Sequence, residues 1–204
     1  MDVQVQNVLD KIEEKVRDLD SLRESLINES IVFVKETTES FMQSAIRNNP
    51  DRVQALGADG LKPIKSDFQA IVESLDTLGR EVLEDNSIWV FKREINLNDI
   101  AELESRSFFV SSRRLPTEYE EKLRVLLSPI GEFLSKNELA DTDNWKRQGG
   151  QFRYSYGLPI TDGLLETAKI FGTKHSEYES LLRELKDAHR MSQQNSALGL
   201  WDSI

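Results

Sequence analysis

The sequence predicts a mostly α-helical protein, an antiparallel helical bundle built on a long N-terminal helical hairpin and carrying a small β-hairpin element. Three observations lead there. Apolar residues recur at alternating four- and three-residue spacing through two long early segments, and proline and glycine cluster between those segments. Charged residues make up 30% of the chain, the density that solvated helix faces carry.

The first helix is predicted over residues 5–47. Val5, Leu9, Ile12, Val16 and Leu19 line one side at coiled-coil-like spacing. Arg23 then occupies the next expected position, and the pattern resumes as Ile27, Ile31, Val34, Thr38, Phe41 and Ala45. Steps of four from Leu19 through Arg23 to Ile27 and Ile31 form a stutter, which locally removes the drive to supercoil left-handedly. Leu26, Val32 and Phe33 widen the apolar surface there. A helix up to about 60 Å long, at 1.5 Å per residue, is therefore expected to pack inside a bundle rather than in a two-stranded rod.

"RNNPDRVQALGADGLKP" stops that helix, with Pro50, Gly57 and Gly60 marking a turn region in which residues 51–56 add a short helical turn. Pro63 suits the first turn of a second helix over 63–85. Ile64, Phe68, Ile71, Leu75, Leu78 and Val82 give it an unbroken stripe, and the two segments read as an antiparallel pair.

Residues 87–115 are mixed. "SIWVFKREI" and "SFFVSSRRL" have the aromatic and β-branched content of strands, and "LNDIAELES" between them reads as a short helix from about Asn98. A helix opens after Pro116, with Thr117 as cap and Glu120 completing a capping box. Tyr119, Leu123, Leu126, Leu127, Ile130, Phe133 and Leu134 form its inner face, and Pro129 is expected to kink or split it near Leu127 and Ser128. In "NWKRQGGQFRYSYG", Gly149 and Gly150 fit a two-residue hairpin turn, while Phe152, Tyr154 and Tyr156 alternate with Arg153 and Ser155. A loop is the competing reading. "PITDGLLETAKIF" is predicted as a short helix capped by Thr161 or Asp162 and stopped at Gly172. A last helix follows over 174–193 with Tyr178, Leu181, Leu182, Leu185 and Ala188 inward. The organisation is thus a helical hairpin over 1–86, a mixed region with bundle-completing helices over 87–193, and a flexible or docked tail over 194–204.

Composition narrows the function. The absence of cysteine excludes disulfides, thiolate metal sites and a cysteine nucleophile. No run reaches the ~18 to 20 apolar residues that span a bilayer, and the start "MDVQVQNVLDKIEEK" has no signal-peptide character. A cytoplasmic protein without membrane contact is expected. The formal net charge of −10 opposes broad binding to nucleic acid. That charge is uneven: residues 1–86 hold 18 acidic and 10 basic side chains, whereas residues 87–156 hold 11 of each.

Motifs for catalysis are missing. His175 and His189 lack the Glu three residues before them that di-iron bundles use, so neither a metal nor another cofactor is expected. "GADG" at 57–60 lacks the Lys-Ser or Lys-Thr end of a phosphate loop, and no Gly-x-Ser-x-Gly elbow occurs. Paired glutamates such as Glu120 and Glu121 read as solvated helix faces.

Three segments do pair aromatic residues with basic ones: "WVFKR" at 89–93, "FFVSSRR" at 108–114 and "WKRQGGQFRY" at 145–154. Gathered in space, Lys92, Arg93, Arg113, Arg114, Lys146, Arg147 and Arg153, with Trp145 and Tyr154, would make a cationic surface beside aromatic planes. The competing reading buries the rings in the core and leaves the cations at its edge. Together these features predict a non-enzymatic adaptor or assembly protein that uses acidic amphipathic helices to bind another protein or its own copy as a homo-oligomer. The alternative is a regulatory module that recognises a phosphate-bearing ligand or nucleic acid through the aromatic and basic middle region.

Overall fold

A computed structural model describes residues 2–92, 94–102, 114–140 and 160–201. Among them four α-helices form: α1, Val3–Asn48; α2, Pro50–Leu83; α3, Thr117–Lys136; and α4, Asp162–Trp201. A 3-10 segment spans Leu97–Glu102. The helices run up, down, up and down. α1 is the central post, in contact with α2, α3 and α4 along successive stretches of its length.

Side-chain pairs fix the directions. Lys35 of α1 meets Asp76 of α2, and Arg80 of α2 donates to Asn28 of α1 at 2.8 Å. Tyr119 of α3 meets Ser30 of α1 at 2.6 Å, while farther along both helices Ile130, Phe133 and Leu134 join Met42 and Ala45 in one cluster. α3 therefore runs parallel to α1. Thr167 of α4 donates to Glu29 of α1 at 2.9 Å, and Lys15 of α1 pairs with Glu177, so α4 runs antiparallel to α1.

The α1 seam is buried as its spacing requires. Val5, Val8, Ile12, Val16 and Leu19 go to the interior first, and beyond the stutter Leu26, Ile27, Ile31, Phe33 and Val34 do so. Asp2 caps α1, its carboxylate accepting the Gln4 N–H at 2.8 Å. At the other end Asn49 makes the turn and donates to the carbonyls of Ala45 and Leu139, which ties the hairpin corner to the end of α3.

The helical hairpin is tighter than the sequence predicts. From Pro50 onward the expected turn region is helical except at Gly57, whose φ of 60° and ψ of −176° interrupt the helix in a conformation glycine adopts freely. Pro63 consequently lies inside α2 rather than in its first turn. Gly79 is buried against α1, where an added Cβ would sit 2.6 Å from Ile31 Cγ1.

Four other local expectations are corrected. Residues 88–92 form no strand; Ile88 ends a turn and the chain continues as an irregular strap, and no strand occurs among the described residues. The Gly149–Gly150 hairpin lies outside those residues. Thr117 is the first helical residue of α3, with Pro116 at the cap and no side-chain capping bond, and Glu120 instead pairs with Arg124 at 2.7 Å. Pro129 does not split α3, because the Ser128 hydroxyl donates to the Val125 carbonyl at 2.9 Å, the group that proline leaves without an N–H. Gly172 does not stop α4. Phe171, His175 and Tyr178 keep the inner stripe continuous across it, and their burial outweighs the roughly 1 kcal/mol that an interior glycine costs.

α3 ends in a Schellman turn. The Leu139 N–H reaches Leu134 O at 2.9 Å, the Glu138 N–H reaches Ser135 O at 3.1 Å, and Leu134 and Leu139 share one apolar cluster. Glu138 occupies the left-handed position at φ 57°.

Two outcomes follow for stability. Gly79→Ala gains about 1 kcal/mol of helix propensity, yet it drives a methyl into the stiff, branched Ile31. A net loss of about 1–2 kcal/mol is expected in thermal unfolding; a raised midpoint would show that α1 and α2 pack less closely than this. The second concerns Asp85, which follows α2. Its carboxyl is held down to about 2 from an ordinary 3.8, first by the Lys122 ammonium at 2.8 Å and then by the Ser87 N–H. A depressed carboxyl stabilises the fold above its unfolded value and loses that effect as pH falls. The melting temperatures of the wild type and Asp85→Asn should therefore converge between about pH 4 and pH 2; a constant difference across that range would contradict the pair.

Candidate functional site

The strap after α2 is where polar chemistry enters the core. An Asx turn begins it, with the Ser87 N–H donating to Asp85 at 2.9 Å, and Ile88 and Trp89 follow into the interior. Side chains hold the chain there. Trp89 Nε1 donates to Leu83 O at 2.6 Å, His175 Nε2 lies 3.0 Å from Val90 O, and the Lys92 N–H donates to the Tyr178 hydroxyl at 3.1 Å. The last two satisfy backbone groups of the strap itself, and the first ties the indole to the end of α2.

Rings pack around the strap from α3 and α4. The Trp89 indole meets Tyr119 of α3 at 5.7 Å and Phe171 of α4 at 5.3 Å, both edge to face. Phe91 continues the array to Phe171 and Tyr178 at 6.1 and 6.4 Å. Arg23 of α1 completes it. Its guanidinium lies 5.4 Å from the Trp89 ring centroid, donates to Glu84 O at 3.2 Å and pairs with Glu24 at 3.2 Å. The stutter in α1 is thus an intrachain contact: the seam position that breaks the apolar pattern receives a cation with an aromatic face and a carbonyl prepared for it.

Two buried polar pairs flank this centre. Ser30 and the Tyr119 hydroxyl are 2.6 Å apart, and that hydroxyl also reaches Leu26 O at 3.3 Å. Burial pushes the Tyr119 and Tyr178 phenols up from their ordinary value of 10. His175 is 1% exposed, and its Nδ1 stands 3.7 Å from Glu179 Oε1, outside hydrogen-bond range. With Nε2–H directed at Val90 O, histidine here acts as a donor that pins the strap to α4.

As chemistry this arrangement is a lock. Its nucleophile-bearing group, Ser30, is fully buried and its hydroxyl is engaged by a phenol. Among the described residues no three His, Asp or Glu side chains gather at metal-binding distance. Among the same residues no helix is long and apolar enough to cross a membrane.

Of the basic residues singled out in the sequence, Lys92 and Arg114 are exposed. Arg93, Arg113, Trp145, Lys146, Arg147, Arg153 and Tyr154 lie outside the described residues. In the first aromatic and basic segment the two halves separate: Trp89 and Phe91 turn to the helices, and Lys92 turns to solvent. The sequence reading passed over Arg23, Tyr119 and His175 as members of one cluster. A signal for two of them was present, since Arg23 falls on the α1 seam and His175 lies four residues after Phe171 and three before Tyr178.

His175→Phe keeps the ring and removes the donor, leaving Val90 O buried without that bond. A loss of about 1–3 kcal/mol is expected, with faster amide exchange over residues 88–92 than over the Met42, Ile64 and Phe133 cluster. Unchanged exchange in the strap would refute the lock. Comparison of the chain with models of known protein families, with curated protein sequences and with solved structures yields no match.

Proposed function

We propose that the protein is a non-enzymatic interaction or assembly protein, which binds another protein or a second copy of itself through helix surface that its own bundle leaves uncovered. The observation that carries this reading is the last part of α4. From Met191 to Trp201 the helix continues beyond its last buried residue, Ala188, and no ionisable side chain occurs in it. Leu198 is 61% and Trp201 76% exposed. Single exposed apolar residues such as Val32 and Val125 are ordinary on a protein surface, whereas a leucine and a tryptophan one helical turn apart on an uncharged helix end are the kind of anchors that interfaces use.

The rest of the surface fits a scaffold. The helices present many acidic side chains, which keep an unassembled chain soluble and limit indiscriminate contact. The polar groups in the core fix the helices against one another rather than facing a cleft, which suits a rigid support for a docking element.

The 204-residue chain should sediment and scatter light as a species larger than a monomer, or should retain a stoichiometric partner when used as bait. A chain that stays strictly monomeric and retains nothing would overturn the reading. Leu198→Asp with Trp201→Asp should reduce retention at least about tenfold, since two interface anchors are lost, while helical content stays near that of the wild type.

A further inference from the structure

The first stretch of α2 is built differently from the rest of it. From Ile64 onward the inner side enters the bundle at Leu75, Gly79 and Leu83, whereas no residue over 50–63 is buried. Gly57 divides the two parts. Its φ of 60° and ψ of −176° lie where only glycine sits without strain, so residues 50–56 form a short helical flap that is kinked away from the body of α2. A Cβ built on Gly57 meets no described atom within 4 Å. Backbone conformation, and not space, requires glycine there.

The flap is bounded at its other end by Asn49, whose backbone is also non-helical, at φ −127° and ψ 55°. Asn49 is firmly placed: its side chain donates to the carbonyls of Ala45 and Leu139, and its own carbonyl accepts the Val53 N–H at 3.1 Å. The contacts between these two points are slighter. Val53 and Leu56 pack, partly buried, on the apolar cluster that contains Met42, Ala45, Phe133 and Leu139. Leu56 also lies close to Gly60, where an added Cβ would stand 3.2 Å from the leucine Cβ. Arg52 pairs with Glu138 at 3.3 Å, but the two side chains are 39% and 72% exposed, so solvent and salt weaken the pair. Glu138 itself holds a left-handed φ of 57°, uncommon for a residue with a Cβ.

We propose that residues 50–56 are a hinged flap over the corner cluster, which rolls open about Asn49 and Gly57 while the rest of the bundle stays folded. Gly57, Gly60 and Pro63 are poor helix formers within seven residues of one another, so α2 has little drive here to hold one shape. Opening breaks the contacts of Val53, Leu56 and Arg52. It leaves the Phe68 and Phe133 rings, 6.1 Å apart, in place between α2 and α3. The apolar surface around Ala45 is thereby uncovered without loss of the fold, which makes the corner a conformational switch with Gly57 as its hinge and Arg52 with Glu138 as its latch. This does not depend on the interaction reading above.

Because the chain has no cysteine, single thiols report the opening. Ala45→Cys places one in the corner cluster, and Ala168→Cys places one in the main core on α4. With an aromatic disulfide reagent under native conditions, position 45 should react at least about tenfold faster than position 168, since the first needs the flap alone to open. Adding Gly57→Ala should accelerate position 45 by a further factor of about ten, the effect of forcing a positive φ on a residue with a Cβ, and should leave position 168 within about twofold. Alanine is the better helix former, so an ordinary frayed helix end would instead react more slowly. Arg52→Ala, which removes the latch and spares the hinge, should accelerate position 45 about two- to threefold, and that difference should vanish in about 1 M salt. Equal rates at the two positions in the otherwise wild-type chain, slower reaction at position 45 with Gly57→Ala, or equal acceleration at both positions would overturn the proposal.

Discussion

Arg23 under the Trp89 indole is the contact on which the assembly of this bundle turns. A 46-residue helix exposes its seam to different neighbours along its length, and no single partner covers all of it. At Arg23 the guanidinium joins α1 to the end of α2 through Glu84 O and to the strap through Trp89. Trp89 in turn touches Tyr119 of α3 and Phe171 of α4. One cation and one indole therefore bring four helices to a common point. Buried charge is costly by itself, and the ring face, the carbonyl and Glu24 together offset that cost.

On either side of this point the bundle has a different character. Toward the α1–α2 corner the packing is apolar, with Met42, Ile64, Phe68, Ile130 and Phe133 in one cluster closed by the Schellman turn at Leu139. Toward the start of α1 the partner is α4. There the seam is bordered by Lys15 with Glu177 and Lys174 with Asp18, side chains that fix register more than they add stability. The end of α4 beyond Ala188 is the part of the surface on which the proposed interaction rests.

The strap shows how side chains can hold a segment with strand-like composition against helices. Trp89, Phe91 and Val90 have the side chains of a strand, and α1, α3 and α4 present a cation, rings and polar groups to them. Tyr178 accepts from one backbone group, and His175 and Trp89 each engage a carbonyl. Contacts of this kind follow no repeating hydrogen-bond pattern by which sequence periodicity could announce them.

The sequence alone determined the long helices, since a four- and three-residue apolar period has one economical solution in water: a helix with that side buried. It determined the antiparallel α1–α2 pair as well, because Pro50 and Gly57 leave a short corner between two such stripes. Tertiary structure decided what local signals left open. Gly172 reads as a stop by propensity, but Phe171, His175 and Tyr178 have partners across the bundle that hold α4 together. Arg23 reads as a fault in a pattern, and only the arrival of Trp89 from a distant part of the chain makes it a contact. The cluster of Arg23, Trp89, Tyr119 and His175 unites residues separated by up to 152 positions, and burial, charge and hydrogen bonding among them exist only once the helices have met.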